Sequence, residues 1–99
     1  MPAVSGWLSV FDEKVGRYIV ICEVRRKDTR DDLLVLWGKL TVIIPYVTEV
    51  LDWSAPHKFR LTIGHLKPEQ FTGRLSSVTP TPDGKFVEIE ITKIAEEAN

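Results

Sequence analysis

The sequence predicts an all-β fold: a five-stranded Greek-key barrel with one short helix between strands three and four. Three observations carry this. Most apolar runs are short, β-branched and alternating. One segment alone, near Pro45, changes to helical spacing. Asp83-Gly84 stands between two extended runs and is the strongest hairpin signal in the chain.

Strand one is Gly6 to Phe11, aromatic and β-branched, closed by the turn residues Asp12-Glu13-Lys14 and Gly16. Strand two, RYIVICEVRR from Arg17 to Arg26, has too many β-branched residues for a comfortable helix. Its alternation puts Tyr18, Val20, Cys22 and Val24 on one face. Lys27 to Asp32 is polar and reads as a loop. Strand three, Leu33 to Leu40, sets Leu34, Leu36 and Leu40 against Val35, Trp37 and Lys39. Pro45 can occupy a first helical turn, and Val47, Val50 and Leu51 then share one face, which predicts a helix over about Pro45 to Trp53. Ser54-Ala55-Pro56 ends it. Strand four runs from Lys58 to Leu66, with Phe59, Leu61 and Ile63 inward. The last third holds Gly73 to Thr79, a turn over Pro80 to Gly84, and Lys85 to Ile94, where Val87, Ile89 and Ile91 oppose Phe86, Glu88 and Glu90. Five or six strands with a helix after the third is the element order of the OB-fold.

Ninety-nine residues suffice for one domain, 1–99, with a short disordered tail over about 95–99. Apolar residues make up 43% and charged residues 27%, which excludes a disordered chain. A net charge of -1 excludes attraction to nucleic acid or acidic membranes by bulk charge, so such binding needs a local patch. The single Cys22 excludes an intrachain disulfide. The start MPAVSGWLSV has no secretory pattern, and no run is long enough to span a membrane, so a reducing, cytoplasmic setting is expected.

LLVLWGKL at Leu33 to Leu40 resembles the central strand of bacterial single-stranded-DNA-binding proteins. Upstream, GWLSVFDEKVGRYIVICEVRRKDTRDD is similar to that family's first hairpin, strand-two arginines and polar loop. Downstream, HKFRLTIGHL and TPDGKFVEIEITKI resemble its fourth strand and its closing hairpin. A tail-less primosomal replication protein with the same barrel is an equally good relative, because the chain ends AEEAN rather than in an acidic tail with a hydrophobic pair. The resemblance implies a non-enzymatic protein that binds single-stranded DNA or RNA, works as a homodimer or homotetramer, and meets a replication or other protein partner. Trp37 occupies one of the family's stacking positions. Asp31, Asp32 and Leu33 before the strand, and Ser76 to Pro82 in the hairpin, supply none of its other aromatics.

Trp37 and Lys39 share the strand-three face opposite the leucines, which suits a base on the ring and a phosphate on the ammonium. Arg25, Arg26, Lys27 and Arg30 form the densest basic cluster and extend that groove, although Asp28, Asp31 and Asp32 lie among them. Arg60, beside Lys58 on strand four, is a further candidate. Phe86, flanked by Glu88 and Glu90, suits an oligomer contact, and the acids would repel phosphate. Trp7 and Trp53 read as core or interface residues. His57 and His65 have no nucleophile or orienting group at a diagnostic spacing, and one Cys with two separated His makes no zinc site, so no enzyme activity, metal or cofactor is expected. The competing function is a protein-interaction module on the same barrel, inside a larger assembly.

Overall fold

The computed structural model describes residues 5–39, 52, 55–65 and 67–95, with Arg26 described by its backbone alone. Among them lie six strands: β1 (Gly6–Asp12), β2 (Arg17–Arg30), β3 (Leu33–Lys39), β4 (His57–Ile63), β5 (Glu69–Pro80) and β6 (Phe86–Lys93). They form two three-stranded meanders, β1-β2-β3 and β4-β5-β6. The sheet closes in a ring because β1 pairs with β4 and β3 with β6.

The five-strand count is therefore corrected to six. Every neighbouring pair is antiparallel. A ring whose strands alternate in direction at every step needs an even number of members, so five could close only through a parallel pair. The additional strand is β5, which begins at Glu69 directly after Pro68 and pairs first with β4 and then with β6. Its first residues, Glu69 to Thr72, have no apolar alternation that would have marked them as a strand. The helix expected over about Pro45 to Trp53 falls outside the described residues apart from Asp52. Of the expected tail, Ala95 is described and 96–99 are not.

Two β-bulges in β2 decide which side chains face the core. The first places Leu8 opposite Cys22 and Ser9 opposite Val20, with Ile21 as the extra residue. Alternation resets there. Ile21, Cys22 and Val24 are buried, while Tyr18 and Val20 face outward, which corrects the placing of all four even-numbered residues on one face. The second lies at Arg25, between the pairs Val24↔Gly38 and Arg26↔Trp37. Beyond it β2 continues through Arg30, so the expected loop over Lys27 to Asp32 is strand for four of its residues. The turn is confined to Asp31-Asp32, and Asp31 has φ 54°.

The interior is filled, as in other small barrels. Leu8, Val10, Leu34, Leu36, Phe59, Leu61 and Ile91 are at most 1% exposed, and Phe71 stacks on Phe59 at 5.6 Å. Gly38 is part of this packing: a Cβ there would fall on Cys22 Sγ and lie 2.7 Å from the Glu23 carbonyl oxygen. Burial, reinforced by the neighbouring Glu23 charge, pushes the Cys22 thiol up to about 11, so it is a neutral core group at physiological pH.

Candidate nucleic-acid interface

Around the ring, the predicted site residues fall on two separate faces. Trp37 stands opposite Arg26 on one side and Glu88 on the other; Lys39 stands opposite Glu23 and Phe86. Val35, outward by alternation, is only 3% exposed between Asp28 and Glu90. Glu90 also accepts a hydrogen bond from Ser77 Oγ at 3.0 Å. This face carries carboxylates beside its aromatic ring.

The basic cluster is largely engaged. Arg25 meets Glu23 at 3.1 Å and donates to Ser5 Oγ at 3.2 Å. Lys27 reaches Glu69 at 2.9 Å, and Arg30 lies 3.4 Å from Asp28. Each such contact competes with a phosphate for the same cation. Lys39 is exposed and makes no ion pair among the described residues.

Arg60 belongs elsewhere. It stands opposite Ser9, which stands opposite Val20, and Arg26 lies six positions further along β2 than Val20, at most roughly 20 Å of extended chain. There the outer face of β1, β2 and β4 presents Trp7, Phe11, Tyr18 and Val20 around Ser9, with Arg60 and Lys58 beside them. Trp7 is 49% exposed. The Phe11 and Tyr18 rings meet edge to face at 5.3 Å, and the Arg60 guanidinium lies 4.5 Å over the Tyr18 ring. Among the described residues neither Lys58 nor Arg60 makes an ion pair, and Glu23 at the margin is already held by Arg25.

Sequence reasoning missed Trp7, Phe11 and Tyr18 as surface residues. The signal for Trp7 and Phe11 was present, since both alternate with the buried Leu8 and Val10. The signal for Tyr18 was reversed by the Ile21 bulge.

Among the described residues no group of three His, Cys, Asp or Glu side chains is placed to hold a metal. The His57 ring contacts the Asp52 carbonyl at 2.6 Å, and His65 sits in an exposed turn. No helix among the described residues is long and apolar enough to cross a membrane. Compared with known proteins, the chain matches no family model, no curated protein and no solved structure.

Proposed function

We propose that this protein binds single-stranded nucleic acid, DNA in the first instance, without catalysing a reaction. The observation that carries the reading is the outer face of β1, β2 and β4, where Trp7, Phe11 and Tyr18 are interleaved with Lys58 and Arg60, and Glu23, which stands opposite Trp7, is engaged by Arg25. Aromatic rings give sequence-tolerant stacking, and the cations follow the phosphates. Trp7 and Phe11 are four residues apart on one strand, roughly 13 Å, enough for two separate stacking stations. A homodimer or homotetramer would join short sites into a longer one by avidity.

This reading moves the contact surface away from Trp37 and Lys39, because Glu88, Glu90 and Glu23 would repel a phosphate backbone there. That second face suits a protein partner better: Phe86, 36% exposed, stands beside Lys39 and two residues from Glu88.

The test is a titration with labelled oligo-dT at low and physiological salt, comparing the wild type with Trp7→Ala, Arg60→Ala and Trp37→Ala, with folding checked by circular dichroism. Loss of a stacking ring is expected to cost about 1–3 kcal/mol in Trp7→Ala, while Trp37→Ala binds as the wild type. A wild type that binds no strand at low salt ends the nucleic-acid reading. A loss confined to Trp37→Ala returns the site to β3.

A further inference from the structure

The ring leaves two stretches of strand that, among the described residues, are paired on one side only. β1 pairs with β2 as far as Val24, and β2 runs on beside β3 to Arg30. β4 pairs with β5 as far as Gly73, and β5 runs on beside β6 to Pro80. Such an edge presents backbone N–H and C=O groups to any strand that approaches.

The two edges differ in what guards them. Arg25, Lys27, Asp28 and Arg30 lie along the β2 edge, and charge on an edge opposes strand pairing. Leu75 to Pro80 carries no charge, and Ser76, Val78, Thr79 and Pro80 are exposed, Val78 by 40%. The Thr81 N–H donates to the Phe86 carbonyl, so Thr81 turns its backbone toward β6. By alternation Thr79 does the same, while Val78 and Pro80 turn theirs to the open side. Pro80 has no N–H to leave unsatisfied there, which is where an edge strand tolerates proline.

We infer that this edge pairs with the same edge of a second copy of the chain, antiparallel about a two-fold axis at Val78. An edge is its own complement in that arrangement: the N–H and C=O of one Val78 meet the C=O and N–H of the other, and the two-fold closes the contact. The two exposed valines then stand directly opposite, Thr79 faces the second copy's Ser77, and Pro80, offering its carbonyl alone, faces the second copy's Ser76. Arg74 is the nearest charge on the strand, and its two copies lie eight residues apart, roughly 25 Å, too far to repel strongly. The paired length is short, so association is concentration-dependent. The inference gives the homodimer a contact surface, and it does not depend on nucleic acid being bound.

The experiment measures the mass of the full chain by sedimentation equilibrium from micromolar to millimolar concentration, for the wild type, Val78→Lys, Val78→Cys and Ser76→Cys, with folding checked by circular dichroism. The wild type is expected to move from the 11.3 kDa of one chain to twice that mass as concentration rises. Val78→Lys sets two ammonium groups face to face on the axis and is expected to stay at the mass of one chain. Under mild oxidation Val78→Cys is expected to give a disulfide-linked dimer, because hydrogen-bonded partners have Cα atoms about 5.5 Å apart. Ser76→Cys is expected to give none, since its two copies lie roughly 13 Å apart along the strand. Cys22 is buried in every variant and takes no part. The cysteine pair decides the matter even where Val78→Lys does not fold. A wild type that keeps the mass of one chain throughout overturns the inference. So does a dimer that survives Val78→Lys, or cross-linking no greater in Val78→Cys than in Ser76→Cys, either of which puts the contact on another face.

Discussion

Glu69 holds lysines from two other strands, Lys93 of β6 at 2.8 Å and Lys27 of β2 at 2.9 Å. These hydrogen bonds, Lys93 first and Lys27 second, hold its carboxyl below the ordinary glutamate value. A carboxylate whose folded value is depressed contributes stability above its unfolded value of about 4.3, and that contribution is lost as pH falls through the lower, folded value. The side chains are about a third exposed, so solvent screens the pairs and their combined worth is about 1 kcal/mol. Glu69→Gln is expected to unfold at lower urea at pH 7 by that amount, and to converge with the wild type as the pH is taken well below 4.3. Parallel stability curves from pH 7 into acid would show that the pairs contribute nothing. The same geometry explains why Lys27, which reads as a phosphate contact in the sequence, is committed within the protein: the carboxylate that engages it lies 42 residues away.

Strands are legible in this chain where one face is buried, and their register is not. Leu34 and Leu36 in β3, Phe59 and Leu61 in β4, and Val87, Ile89 and Ile91 in β6 are buried as the alternation predicts, while Ser9 in β1 and Val35 in β3, on the outward face, are buried as well. β2 departs twice, at Ile21 and Arg25, because a bulge costs one unpaired residue and leaves no mark in composition. Its last residues, Lys27 to Arg30, are polar because they run along an edge of the hairpin with β3, so polarity there signals exposure and not a loop. The candidate site inherits these limits: Arg60 was legible from alternation in β4, but that Tyr18 lies beneath it depends on the bulge. The β5–β6 turn is the element that local chemistry specifies best. Gly84 has φ 71°, its N–H donates to the Thr81 carbonyl at 2.9 Å, and the Thr81 N–H donates to the Phe86 carbonyl at 2.9 Å. Asp83 accepts from Thr81 Oγ1 at 2.6 Å and from the Lys85 N–H at 3.0 Å, and these bonds hold its carboxyl below the ordinary aspartate value. Nothing crowds a Cβ at Gly84, so Gly84→Ala isolates the backbone cost of the left-handed conformation. A loss of about 1–2 kcal/mol in urea unfolding is expected. An unchanged midpoint would mean that the turn rearranges freely and does not set the β5–β6 register.

For the whole molecule, a net charge of -1 means that any attraction for a polyanion arises from how charge is distributed over the ring. Ion pairs engage Arg25, Lys27, Arg30 and Lys93, whereas Lys58 and Arg60 remain on the aromatic face and Arg17 stands at the exposed end of the β1–β2 hairpin. A strand lying on that face therefore meets two or three cations. For single strands the logarithm of the binding constant falls with the logarithm of salt concentration by about 0.7 for each phosphate neutralised, which gives an expected slope of roughly -1.4 to -2.1. Titrations of oligo-dT at four or more salt concentrations measure it directly. A slope near zero would mean that apolar contact alone holds the strand, and Lys58 and Arg60 would lose their assigned part. A slope steeper than about -3 would require more cations than this face supplies, drawn either from the β2 cluster after its ion pairs open or from a second copy of the chain. Arg25→Ala separates those two sources, because it flattens the slope only if β2 takes part.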